Sequence, residues 1–255
     1  MGAYRLSAHT RVCATEHGAI FLDLERSAYV GIAPARARAL ARVVEGWPSF
    51  DGNTIAHDGC GKPCDDGQVP CDRNSATCDA GDDIAAALVS RGILVPTPSD
   101  QSPTAAAPRL LPEAQNELVP WDSMPSRHIG VGHVIAFIRA LLMAVYLTRF
   151  KSFAAIVARF DRSRRRNTGE FDLERAGALL SAYHYIRTWT FARAGRCLLD
   201  SIALVEFLRI YGVHASWVVG VQLRPFSAHS WVQHERWVLN GTPAFVREYM
   251  PIIVV

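Results

Sequence analysis

The stretch GRCLLDSIALVEFLRIYG, Gly195 to Gly212, constrains this chain more than any other. Leu198, Leu199, Ile202, Leu204, Val205, Phe207, Leu208 and Ile210 leave a helix over this run almost no polar stripe, so it must be covered on nearly every side. It reads as a core helix. Cys197 stands at its N-terminal threshold, behind Gly195 and Arg196. Unpaired N–H groups and the positive end of the helix dipole favour a thiolate there. The same groups can hold an oxyanion. Alone, a cysteine in that place reads as buried filler. His229, at the head of a strand-like segment in PFSAHSWVQ, changes the weighing, because a thiolate nucleophile needs a base.

The segments around this pair divide the chain in two. Residues 1–95 read as a small winged-helix-like module. In it, Ala19 to Ile32 gives two short strands about the turn Glu25-Arg26-Ser27. Pro34 to Trp47 gives a helix with Pro in its first turn. Asp82 to Leu94 gives another, capped by Asp82 or Asp83 and ended by Gly92. Residues 51–81 between these helices are rich in Gly, Asp and Cys, without periodicity, and read as a loop. Residues 96–120 read as a linker, on the Pro-, Ser-, Thr- and Ala-rich run VPTPSDQSPTAAAPRLLP from Val95 to Pro112. Residues 121–255 form the second domain. It opens with helices over about 130–149, over Phe153 to the basic DRSRRR, and over 172–190 before the Cys197 helix. Strand-like VHASWVVGVQL, AHSWVQH, RWVL and PIIVV follow. A central helix with Cys at its start, packed on strands that carry a His, is the arrangement of papain-like and transglutaminase-like folds. The fold class is therefore α+β, with a winged-helix-like N-terminal domain linked to a papain- or transglutaminase-like cysteine protease domain.

Hydrophobic residues at 49% and charged ones at 20% of 255 residues are ordinary for a chain that buries a sizeable core. A net charge of +3 argues little for a nucleic-acid partner. The start, MGAYRLSAHTRVCATEHG, has no apolar signal core, which predicts a cytoplasmic protein with reduced cysteines. Ile129 to Leu147 is almost long enough to span a membrane, but His133 and Arg139 interrupt it, so it reads as an internal amphipathic helix.

RCLLDSIALVEFLRIYGVHASWVVGVQLRPFSAHSWVQ, followed by VLN and the terminal YMPIIVV, resembles the lasso-peptide biosynthesis B proteins. These are transglutaminase-like leader peptidases that mature ribosomally made lasso peptides, and the likeness runs from about Phe153 to Val255. FLDLERSAYVGI and LVSRGIL resemble the small leader-recognition domain related to the coenzyme-PQQ chaperone. The resemblance implies a peptidase that removes a precursor's leader and passes the core to a partner, an ATP-using cyclase of the asparagine-synthetase type. It implies no cofactor. It further implies a Cys-His-Asp triad in which Cys197 is the nucleophile and His229 the base. Gly241, in VLNGT, stands where the family has Asp. Asn240 beside it is the candidate third member, since Asn orients the base in Cys-His-Asn proteases. The third member stays open, because neighbours on a strand face opposite ways. Leader binding is expected as strand addition at Ala28, Tyr29, Val30 and Ile32, with Leu88 on the groove wall.

Cys60, Cys64, Cys71 and Cys78 could hold zinc, but they lack the paired CxxC of common sites, and a variable loop is the preferred reading. No metal is expected. RSRRR, Arg162 to Arg166, reads as a solvated face. Asp200 lies one turn beyond Cys197, and a catalytic or a structural role is equally compatible with that. Two other functional classes compete with this reading. One is a peptide-binding chaperone or scaffold with a weakened protease domain, suggested by the missing Asp. The other is an N-terminal DNA binder, disfavoured because DDIAAALVSRGIL has a single basic residue.

Overall fold

A computed structural model describes residues 3–48, 76–97, 111–119, 129–165, 171–189 and 196–255. The chain splits into two compact units, Met1–Leu110 and Leu111–Val255. Both mix helix and sheet.

The first unit contains β1 (Tyr4–Leu6), β2 (Thr10–Thr15), β3 (Gly18–Asp23), β4 (Ala28–Ile32), α1 (Pro34–Val43), β5 (Val44–Glu45), α2 (Ala76–Ser90) and β6 (Leu94–Pro96). Strands β2, β3 and β4 form an antiparallel meander, and β1 lies between β5 and β6 in a second small sheet. Asp23 makes the turn into β4. Its Oδ1 accepts from the N–H groups of Glu25 at 2.9 Å and Arg26 at 3.0 Å, while Ser27 takes φ of 53°. Gly92, at φ of 75°, ends α2, and Ile93 N–H returns to the Leu88 carbonyl. Phe21, Leu40, Val44, Ala85, Leu88, Ile93 and Leu94 make the core. The expected strands and helices are present, with three differences. Helix α2 begins at Ala76, inside the segment read as loop, and ends at Ser90, so Asp82 and Asp83 lie within it instead of capping it and Leu94 belongs to β6. The helix from Pro34 stops at Val43, because β-branched Val44 is extended and joins β1. Strands β1 and β2 add a layer that the sequence pattern did not predict.

The second unit contains β7 (Asn116–Glu117), α3 (Val131–Phe150), α4 (Phe153–Arg165), α5 (Leu173–Thr188), α6 (Cys197–Ile210), β8 (Ser216–Gln222), β9 (Ser227–His234), β10 (Trp237–Val238), α7 (Pro243–Val246) and β11 (Met250–Val254). Its sheet runs β11-β8-β9-β10-β7. Residues 111–119, expected as linker, belong to this unit. β7 pairs with β10, and Leu111 and Ala114 pack with Val218 and Trp231.

Helix α6 is the predicted core helix. Ile202, Leu204, Phe207 and Leu208 are fully buried, and truncating any one to Ala would cost about 2–5 kcal/mol. Three polar residues on it are also buried: Asp200, Ser201 and Glu206. Glu206 is gripped by Arg159 of α4, through Nε at 3.0 Å and Nη2 at 3.3 Å, and by Arg209 through Nη2 at 2.7 Å. Ser201 Oγ lies 2.7 Å from Ser230 Oγ, and both accept from the Trp217 indole N–H. That trio places α6 on the sheet face carrying Trp217 and Ser230. Strand alternation sends Val218, Gly220, His229 and Trp231 to the opposite face, under α7 and Tyr249.

Candidate active site

Cys197 is the first residue of α6, and its thiol is free and half-buried. The first intrahelical bond visible here runs from Asp200 N–H to Arg196 carbonyl, so the N–H groups before it have no acceptor within the helix. Among the described residues no side chain caps them. They are available to a thiolate or to an oxyanion formed beside it.

His229 lies on β9, paired across to Gly220. Its ring meets Phe245 edge-on at 4.9 Å between centroids and Tyr249 at 5.3 Å, and stacks with Trp231 at 6.1 Å. Burial in this aromatic box lowers its pKa from the ordinary histidine value, while the negative charge of Asp200 pulls the other way. The imidazole is therefore neutral at neutral pH, the form that can accept a thiol proton. The Asp200 field then favours the imidazolium that results. Among the described residues no hydrogen bond joins Cys197 to His229. Nor does the strand register aim the two at each other: Ser230 faces α6 through Ser201, and its neighbour His229 turns to the other face of the sheet, against Phe245 and Tyr249.

Asp200 is the hub of the polar frame. Tyr183 O–H donates to its Oδ1 and to its backbone carbonyl, each at 3.0 Å. Arg187 Nε forms an ion pair with Oδ1 at 2.8 Å, off the line of a hydrogen bond. Asn240 Nδ2 donates to Oδ2 at 3.3 Å. Burial, reinforced by the Asp200 charge, holds the Tyr183 hydroxyl well above its usual range, so it stays a donor. Next to it, His184 Nε2–H donates to the Leu239 carbonyl at 3.0 Å. Burial, followed by the Arg187 charge, lowers His184 to about 4, so this ring too is neutral. Together these contacts tie α5 and α6 to the segment that carries Asn240.

Asn240, the candidate orienter of His229, has both ends of its carboxamide committed elsewhere. Besides its bond to Asp200, its Oδ1 accepts from Val232 N–H at 2.7 Å. Its link to His229 therefore runs through β9 and Asp200 rather than through a direct bond. Gly241, where the resemblance calls for Asp, has φ of 151°, a conformation L side chains rarely adopt. A Cβ there would meet Val246 Cγ1 at 3.7 Å and Val238 Cγ1 at 3.9 Å, so the cost of a side chain is backbone strain, not crowding. Two outcomes are expected. Asn240→Ala strips a partner from Val232 N–H and from Asp200, costing about 1–3 kcal/mol and slowing single-turnover cleavage roughly tenfold or more. Gly241→Asp lowers the melting temperature, through about 1–3 kcal/mol of strain, without accelerating cleavage. A faster Gly241→Asp beside a silent Asn240→Ala would overturn this assignment of the frame.

Phe245, Tyr249, Tyr183 and Arg187 were not among the residues read from sequence. Phe245 and Tyr249 stand four residues apart, but α7 ends at Val246 and leaves Tyr249 outside it, so no helical pattern marks the two.

In the first unit, Ala28, Tyr29, Val30 and Ile32 lie on β4, which pairs with β3. The other edge of β4 carries no strand among the described residues. Val30 and Ile32 pack partly into the core. Leu88 is a correction. It is 4% exposed and sits in the middle of that core, so it does not wall a groove. Its apolar spacing with Ala85 marks the buried face of α2. Cys60, Cys64, Cys71 and Arg166 lie outside the described residues. Arg162 donates to the Ala158 carbonyl of its own helix. Among the described residues no cluster of three or more His, Cys, Asp or Glu is placed to hold a metal.

Comparison with known proteins bears on the second unit. No curated protein and no solved structure matches the chain. The superfamily that does match includes cysteine peptidases, and its model covers most of the unit that holds Cys197, His229 and Asp200. The chain carries a domain of the transglutaminase-like superfamily at residues 138–254.

Proposed function

We propose that this chain is a cysteine peptidase that binds the leader of a ribosomally made precursor peptide and removes it during lasso-peptide maturation. The observation that carries the reading is Cys197 at the uncapped start of a buried helix, within a transglutaminase-like domain whose β9 bears a neutral His229. In this reading the start of β9 shifts when peptide binds and brings His229 round to Cys197, whose thiol gives its proton to the ring as sulfur attacks the scissile carbonyl. His229 returns the proton to the leaving amine as the C–N bond breaks. Water, deprotonated by the same ring, then releases the leader carboxylate from the thioester. The free amine of the core passes to a partner cyclase of the asparagine-synthetase type, which uses ATP to join it to an acidic side chain. In the first unit the open edge of β4 takes the leader as an added strand, with Tyr29 and Val30 beside it. The work is cytoplasmic, without cofactor, nucleic acid or membrane.

A second reading has one observation in its favour. Gly241 supplies no carboxylate at the family's acid position, which fits a weakened enzyme that serves the cyclase as a peptide-binding scaffold. Incubating the chain with a synthetic precursor, encoded by a short reading frame beside its gene, separates the two. Mass spectrometry is expected to show leader and core as separate products. Tight binding, read by fluorescence anisotropy, without turnover at enzyme excess would establish the scaffold. Neither binding nor cleavage would sink both.

A further inference from the structure

Helix α3 packs along α6 through Ala136, Phe137, Ala140, Ala144 and Leu147, all buried. Its opposite face is also apolar. Val131, Ile135, Ile138, Leu142 and Val145 are 76, 53, 49, 63 and 43% exposed. Their spacing alternates four and three residues, the seam of a coiled coil, in which each side chain inserts among four of a facing helix. The helix has no acidic residue, and its mean hydropathy of 1.8 would suit lipid. Arg139 argues against lipid. It is exposed at mid-length on the flank of the stripe, where a bilayer would bury the guanidinium and a facing helix leaves it in water.

We propose that this seam is the interface of a homodimer, with α3 of two copies packed antiparallel about a two-fold axis near Ala140. The helix is self-complementary in that sense. Its C-terminal end carries the bulky Tyr146 and Phe150, and on the same flank its N-terminal end has only Gly132. A Cβ on Gly132 would touch nothing within 4 Å. Antiparallel pairing sets bulk over the gap at both ends, brings Ile138 against Leu142 and Ile135 against Val145, and separates the two sets of C-terminal cations at Arg149 and Lys151. Parallel pairing would oppose bulk to bulk and charge to charge. Eight large apolar side chains on this helix are between 39 and 76% exposed. Covering them on two copies removes roughly 1,200–1,600 Å² from water, the size of a standard stable interface.

Analytical ultracentrifugation of the full chain tests this. The 28.1 kDa chain is expected to sediment as a dimer at micromolar concentration. Leu142→Glu buries two unpaired carboxylates beside the axis and is expected to raise the dissociation constant at least about a hundredfold, with circular dichroism unchanged. Ile135→Lys alone and Val145→Glu alone each weaken the dimer. Together they restore it, because antiparallel pairing opposes Lys to Glu twice. A wild type that stays monomeric at about 100 µM overturns the proposal, as does a dimer indifferent to Leu142→Glu. Rescue failing in the double variant overturns the antiparallel arrangement. Monomers that co-sediment with phosphatidylglycerol vesicles through this face would assign it to lipid instead.

Discussion

Cys197→Ala is expected to abolish peptide cleavage while leaving peptide binding and fold intact. The thiol is half-buried at the first position of α6, and it makes no hydrogen bond among the described residues, so the frame around it does not depend on sulfur. Alanine is a strong helix former and fits there, which keeps the stability change small. The chemistry has no substitute nucleophile at that point. Loss of a nucleophile in a catalytic unit costs about four to six orders of magnitude, leaving what the uncapped N–H groups and binding supply. His229→Ala should cost nearly as much, and the double variant little more than either single one, because the two act on one proton. Single-turnover cleavage of a precursor peptide, followed by mass spectrometry, reads all three. Undiminished cleavage by a folded Cys197→Ala chain would remove Cys197 from the chemistry.

Gly220→Ala is expected to damage stability and rate together. Gly220 lies opposite His229 on β8, and a Cβ there would sit 2.7 Å from Trp231 Cζ3 and 2.8 Å from Tyr249 Cβ. Neither neighbour yields easily. Trp231 is 2% exposed with its indole N–H fixed on Gln233, and the Tyr249 atom is at the root of its side chain. Overpacking of this kind costs about 1–3 kcal/mol, a fall of several degrees in melting temperature for a unit of this size. The displaced rings are two walls of the His229 box. With them moved, water reaches the imidazole, the burial that lowers its pKa weakens, and the acid limb of the rate profile shifts to higher pH. A calorimetric scan and a pH–rate profile measure the two effects. A variant that melts and cleaves like wild type would show that the box is looser than these contacts imply.

The parts of this site that were legible in the sequence are those that repeat along one element. The apolar run from Leu198 to Ile210 announced a covered helix and put Cys197 at its start. The β-branched and aromatic residues of SWVVGVQ and AHSWVQH announced β8 and β9 and gave His229 its strand. What was not legible depends on where separate elements meet. Asp200 reads as one of two acids on a greasy helix until α5 brings Tyr183 and Arg187 to it. Asn240 looked like a partner for His229 because it stands next to the expected acid, but backbone geometry turns its carboxamide toward Val232 and Asp200. Leu88 is available as a groove wall on α2 alone; with Phe21 and Leu40 present, its apolar face is inside. Residues 111–119 read as linker because a two-residue pairing such as β7 with β10 leaves no pattern.

A helix that is apolar all round carries no instruction about its own rotation. Turning α6 by one residue, about 100°, would keep it well buried and aim the thiol at a different neighbour. The three buried polar side chains supply the missing address. Glu206 must find Arg159 on α4, Ser201 must find Ser230 and Trp217 in the sheet, and Asp200 must find Tyr183 and Asn240. Any other rotation strands a carboxylate or a hydroxyl without a partner, at a few kcal/mol for each charge. Three locks on three different elements admit a single angle, and that angle fixes the bearing of Cys197.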